Sequence, residues 1–162
     1  MTSIPKALSP FALLTSAFLF LFSALVAGAE TPKISAPEAL KKLQAGEMVI
    51  LDIRAPEEWA ESGVAEGVWP VSMHQRDFGK NLQRILRYVP ADRIGLICAT
   101  GGRSDYVAGV LEKNGIFGVI DVSEGMFGNK SGPGWIKRGL PLVHPDAALR
   151  NYEAATANWG AD

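Results

Sequence analysis

From residue 35 onward, short continuous apolar runs alternate with stretches whose apolar positions recur every third or fourth residue. Strands covered on both faces, set between amphipathic helices, have this pattern. Ser35-Ala36-Pro37-Glu38 puts Ser and Glu three apart with Pro in the first turn, which predicts a helix start. Ala39, Leu40 and Leu43 give that helix an apolar side, and Gly46 closes it. Residues 48–53 (MVILDI) predict a first strand. Pro56-Glu57-Glu58-Trp59 opens a short helix, with acidic residues suited to its positive end. Residues 68–73 predict a second strand, placed at an edge or a strand start by Pro70, which cannot donate to a ladder. Residues 78–88 carry Leu82, Ile85 and Leu86 at helical spacing until Pro90 and Asp92 break the pattern. A third strand (93–97), a helix (104–113) closed by Asn114-Gly115, and a fourth strand (117–122) follow. The alternation predicts an α/β sandwich around a parallel sheet. Residues 125–134 are a loop by composition, 135–138 a helical turn and 140–143 an extended segment. Residues 144–162, with Ala147, Ala148, Leu149, Tyr152 and Trp159, form an appended helical tail to which the sequence assigns no role.

At 48% hydrophobic and 20% charged residues over 162 positions, the composition is that of one globular domain. Sixteen Lys and Arg face 17 Asp and Glu without any basic run, which excludes nucleic acid as a partner. The first 29 residues stand apart. Lys6 is their sole charge, Leu13, Leu14, Phe18, Leu19, Phe20, Leu21 and Phe22 form an apolar core, and Ala27-Gly28-Ala29 ends in a small-x-small pattern. We read residues 1–29 as a signal peptide cleaved after Ala29, giving an exported, periplasmic chain without membrane attachment. The alternative is an uncleaved N-terminal anchor, since about 20 apolar residues span a bilayer.

Cys98 is the one cysteine, so an intramolecular disulfide is impossible. Buried inert packing is the ordinary fate of such a residue, and its neighbours argue otherwise. Cys98-Ala99-Thr100-Gly101-Gly102-Arg103-Ser104 joins a buried strand to a helix, where open parallel sheets place their ligands. Backbone N–H groups of such a turn, with the positive end of the helix, converge on one anionic atom and stabilise a thiolate. Gly101 and Gly102 are read as the residues that let the chain curl, and Ser104 as the helix N-cap. Arg103 is read as a fixed positive charge for the thiolate and an anionic substrate, as a structural ion pair, or as both at once, and the residues leave these open.

These residues resemble the rhodanese-like sulfurtransferases. Leu51-Asp52-Ile53-Arg54-Ala55-Pro56-Glu57-Glu58-Trp59 is similar to the family's entry motif, and CATGGRS to its active loop. Ser123-Glu124-Gly125 resembles the acidic-glycine motif after the last core strand, and Trp135 with Gly139-Leu140-Pro141-Leu142 resembles the closing motif. The resemblance covers residues 34–145 and implies a three-layer sandwich with a mostly parallel central sheet, leaving 146–162 as a tail. It departs from the family at residues 62–68, which lack the usual histidine, and at the longer loop before Trp135.

The resemblance implies that Cys98 carries sulfur as a persulfide, taken from a small anionic donor such as thiosulfate and passed to cyanide, a thiol or a protein acceptor. It implies that Ala99, Thr100, Gly101, Gly102, Arg103 and Ser104 hold the sulfur, that Asp52, Arg54 and Glu124 support the site, and that no cofactor or metal takes part. His74 and His144 lie outside the motifs and are read as surface or packing residues. Phosphatases and arsenate reductases of the same fold are a competing class, with five residues between cysteine and arginine. Here four intervene, a ring that suits one sulfur atom better than a tetrahedral oxyanion. A persulfide relay or redox interaction domain without turnover is the non-enzymatic alternative.

Overall fold

The computed structural model describes residues 30–160, so the N-terminal segment read as a signal peptide lies outside the described residues. The strands are β1 (Lys33–Ile34), β2 (Val49–Asp52), β3 (Val64–Ala65), β4 (Trp69–Pro70), β5 (Ile94–Ile97), β6 (Ile120–Val122) and β7 (Leu142–Val143). The helices are α1 (Ala36–Gln44), α2 (Pro56–Ser62), α3 (Phe78–Tyr88), α4 (Gly102–Lys113), α5 (Gly134–Lys137) and α6 (Pro145–Thr156). Five strands make one sheet in the order β1-β6-β5-β2-β4, with every neighbouring pair parallel. Strands β3 and β7 pair antiparallel as a separate ribbon. None of the described helices is long and apolar enough to cross a membrane.

Alternation along the central strands divides the core in two. Ile50 and Ile97 face a cluster with Ala36 and Ala39 of α1, Trp59 of α2 and Trp135 of α5. Leu51, Ile94 and Leu96 face a second cluster with Leu82 and Ile85 of α3 and Val107 and Leu111 of α4. Helices on both faces thus complete the three-layer α/β sandwich expected from the pattern. Ser35 caps α1 as the sequence predicts, its hydroxyl accepting from the Glu38 N–H at 3.4 Å. Pro70 lies in the edge strand β4, opposite Asp52, where its missing N–H costs nothing inside the sheet.

The C-terminal residues close the exposed edge. Trp69 of β4 packs on Tyr152 and Trp159, with ring centroids 5.4 and 5.8 Å apart, and Tyr88 stacks on Trp159 at 4.6 Å. The Arg84 guanidinium lies 5.8 Å from the Trp159 ring and donates to the carbonyl of Trp159 at 3.2 Å. Helix α6 therefore covers an edge that would otherwise offer unpaired backbone groups to another chain. Replacing Trp159 by Ala should lower stability by about 2 kcal/mol, because two aromatic contacts and one cation-π contact are lost together. Urea denaturation measures the loss; an unchanged midpoint would show that the tail is only appended.

Candidate active site

Cys98 follows β5 directly, and strand alternation sets its direction. Ile94, Leu96 and Cys98 share the face covered by α3 and α4. Cys98 is 1% exposed, and its Sγ lies 3.5 Å from the Ser104 Oγ. After Cys98 the chain turns sharply into α4. Gly101 makes the turn with φ of +84°, and a Cβ there would run into the carbonyl oxygen of Ser123.

Two expectations about this loop are corrected. Gly102 is helical with open space where a Cβ would stand, so of the two glycines only Gly101 is demanded by conformation. Gly101 is also the N-cap, and α4 begins two residues before Ser104. Ser104 is not a cap. It is the third helical residue, fully buried, with its hydroxyl 3.0 Å from the Gly101 carbonyl oxygen and 2.6 Å from Asp121 Oδ1.

Residues 125–134 form a second loop that grips the first. The carbonyls of Cys98, Ala99 and Thr100 accept from the Met126 N–H at 2.8 Å, the Phe127 N–H at 2.8 Å and the Asn129 Nδ2 at 2.6 Å. No described residue accepts from the N–H groups of residues 99–103, which lead into the N-terminus of the 12-residue helix α4. Donors left over at the positive end of a helix form a place for an anionic atom. The second loop is pinned by Glu124, whose carboxylate accepts from Arg138 at 2.8 and 2.9 Å and from the Gly134 N–H at 3.0 Å. Arg138 chiefly, with the Gly134 N–H, holds the Glu124 carboxyl below the usual range.

Asp52 and Arg54 are both fully buried and paired, with the shortest contact 2.7 Å. Arg54 also donates to Ser62 Oγ and to the Gly63 carbonyl, each at 2.7 Å, and so ties the end of α2 to the end of β2. From the start of α2, Glu58 takes both terminal nitrogens of Arg103, at 2.6 and 2.7 Å. The ion-pair role open to Arg103 is present in the structure. His74 joins it, with Nε2 3.1 Å from Arg103 Nη1, and the imidazole lies at the rim of the site. His144 lies elsewhere, as the N-cap of α6.

The structure thus brings Cys98, Ala99, Thr100, Gly101, Gly102, Arg103 and Ser104 into one turn, framed by Asp52, Arg54 and Glu124. It adds Glu58, His74 and Asp121. Glu58 was visible only as part of the entry motif, and His74 carried no signal. Asp121 was a single acid inside the apolar run 117–122.

Glu58 is held down to about 2 from 4.5, first by the bidentate Arg103 bond, against the opposing cost of burial. A carboxyl depressed on folding adds stability above its unfolded pKa and loses it as pH falls through the folded value. The contribution is therefore full above about pH 4.5 and fades toward about pH 2. With its side chain 26% exposed, screening leaves about 1–2 kcal/mol. Glu58→Gln should remove that amount at neutral pH and almost none at the acid end, as measured by denaturation across the window. Equal losses at both ends would show that the pair adds nothing electrostatic.

A family model described as a rhodanese-like domain matches residues 35–131, more than half of the chain. The fold is similar to the solution structure of the polysulfide-sulfur transferase homodimer from Wolinella succinogenes. That match has a TM-score of 0.54 and 21% identity over 72% of this chain and 80% of that one. It is also similar to Rv0390 from M. tuberculosis, with a TM-score of 0.53 and 24% identity over 72% and 99% of the two chains. The rhodanese-like domain of an Anabaena protein gives 0.53 and 20% identity over 81% and 87%. No curated protein matches the chain. The family model and the three-layer sheet architecture agree, and the chain belongs to the rhodanese-like domain family.

Proposed function

We propose that the protein is a sulfurtransferase in which Cys98 carries sulfane sulfur from an anionic donor such as thiosulfate to a thiol or cyanide. The observation that carries this reading is the set of N–H groups at residues 99–103 without acceptors among the described residues, beside a cysteine whose own carbonyl is already bonded. In the loading step, the Cys98 thiolate attacks the outer sulfur of thiosulfate. A Cys98 sulfur–sulfur bond forms, the donor's sulfur–sulfur bond breaks, and sulfite leaves with the electron pair. The free N–H groups stabilise the terminal sulfur of the persulfide, as an oxyanion hole stabilises oxygen. In the unloading step, a nucleophile attacks that terminal sulfur and Cys98 departs as thiolate. The two half-reactions make a covalent, ping-pong cycle with no need of metal or organic cofactor.

Four residues between Cys98 and Arg103 favour sulfur over a phosphate or arsenate substrate, because a short amide ring fits one atom. Arg103, clamped by Glu58, is proposed to fix the start of α4 and to present its remaining N–H to the donor. Export with cleavage after Ala29 belongs to the same proposal.

Intact-mass measurement of the purified protein before thiosulfate, after it, and after cyanide tests the cycle. One sulfur should be gained and then lost, and the starting mass should lack residues 1–29. Cys98→Ser should abolish turnover without unfolding the domain; surviving thiosulfate activity would remove Cys98 from the chemistry. Arg103→Lys reaches Glu58 with a point charge in place of a planar fork and should lower kcat/KM for thiosulfate about tenfold. Unchanged KM and kcat would show that Arg103 plays no part.

A further inference from the structure

Asp121 belongs to none of the sequence motifs, yet it reaches Cys98 through one intervening group. It is 1% exposed, and its Oδ1 lies 2.6 Å from the Ser104 Oγ. That same Oγ lies 3.5 Å from the Cys98 Sγ, with either atom able to donate, and 3.0 Å from the Gly101 carbonyl oxygen. Ser104 owns a single hydroxyl proton and cannot give it to three acceptors. An ionised Asp121 can only accept, and at 2.6 Å it takes that proton, leaving Ser104 to offer the sulfur a lone pair that suits only an S–H. A protonated Asp121 donates to Ser104 instead, which frees the Ser104 proton for a thiolate.

We propose that Asp121 is a positioning residue that decides, through the Ser104 hydroxyl, whether Cys98 is held as thiol or as thiolate. The inference rests on Cys98 being the reactive centre, and its readout is independent of sulfur transfer. The two arrangements, Asp121 carboxyl with Cys98 thiolate and Asp121 carboxylate with Cys98 thiol, contain the same atoms and charge. One converts to the other when the carboxyl O–H breaks toward Ser104 and the Ser104 O–H breaks toward sulfur, forming the S–H. No oxidant, reductant or leaving group is involved. Groups that interact this way titrate as a pair.

The surroundings favour such sharing. Burial pushes the Asp121 carboxyl up from its ordinary range, and the Ser104 bond opposes that only in part. The charged groups facing Asp121 are Lys33 of β1 and Asp105 on α4, paired with each other at 2.8 Å so that their effects largely offset, and Lys130 of the second loop lines the same cleft. Cys98, directly after β5, and Ser104 of α4 complete the set. Asp121, Thr100, Gly101 and Ser123 also line a cleft of about 440 Å³ beside the active loop.

The test is the rate of Cys98 alkylation by iodoacetamide as a function of pH, since no other cysteine competes. Asp121→Asn supplies a permanent N–H donor to Ser104, so its profile should move to lower pH, with alkylation in mild acid about tenfold faster. Loss of a nearby negative charge would give a shift in the same direction. The two causes separate in a Ser104→Ala background, where the effect of Asp121→Asn should vanish if it travels through the hydroxyl. No shift in Asp121→Asn, or the same shift with Ser104 absent, would overturn the proposal. Should either variant fail to fold, the unmutated protein still decides. Its logarithmic rate profile should rise in two steps for a coupled pair, and a single step would count against the coupling. A failed sulfur-loading experiment with an intact Asp121–Ser104 coupling would instead point to the function being wrong.

Discussion

The buried pair of Asp52 and Arg54 is the constraint from which the site is built outward. Two opposite charges with no exposed surface are retained only if each is bonded, and Arg54 spends its donors on Asp52, Ser62 and the carbonyls of Glu58 and Gly63. Removing either charge would strand the other in the core, at a cost of about 3–5 kcal/mol. The pair fixes α2 against the carboxyl end of β2. Helix α2 then presents Glu58, Glu58 holds Arg103, and Arg103 anchors the first turn of α4. A charge pair with no contact to Cys98 thus positions the loop that contains it. The Phe127 ring, 5.8 Å from the Arg54 guanidinium, brings the second loop into the same frame.

Interlocking of the two loops explains why their backbone groups are used so unequally. Gly125 has φ of +64°, and a Cβ on it would come within 2.6 Å of the Ala99 carbonyl oxygen. Gly101 is equally confined against Ser123. Each glycine permits a close approach that a side chain would block, and the approach lets residues 126–129 take the carbonyls of residues 98–100. The active loop is therefore rigid on its carbonyl side while its N–H side keeps its donors. Preorganised donors of this kind act on a bound anion without first having to be oriented.

Much of this was legible in the sequence because strands buried on both faces, capped helices and a strand-Cys-loop-helix junction all have local signatures. What stayed hidden was either too short or too distant to have one. Strands β1 and β3 are two residues each, below the length at which alternation can be recognised. The Glu58–Arg103 pair spans 45 positions, and the aromatic cluster joining Trp69 and Tyr88 to Trp159 spans even more. Ser104 was misplaced as a cap because serine is favoured there, whereas a left-handed glycine began the helix earlier. In that deeper position its hydroxyl points into the core toward Asp121.

Placement of the charges also changes where thiolate stabilisation comes from. From sequence alone, Arg103 is open to acting as a positive charge beside Cys98, as a structural ion pair, or as both. In the structure both of its terminal nitrogens are engaged by Glu58, whose bond is the main reason the guanidinium pKa is raised, with Cys98 a lesser contributor. A paired cation exerts a weaker field at a distance than a free one, since its partner subtracts most of it. Asp52–Arg54 and Glu124–Arg138 are likewise paired. Apart from these pairs stands the N-terminus of α4, whose N–H groups at residues 99–103 have no acceptor among the described residues, and whose first-turn Asp105 is paired with Lys33. In the proposed function, fixed backbone dipoles at residues 99–103 act on the sulfur beside the paired Arg103. The side chains act chiefly to hold those dipoles in place, and Ser104 with Asp121 is where a single proton can still alter the balance.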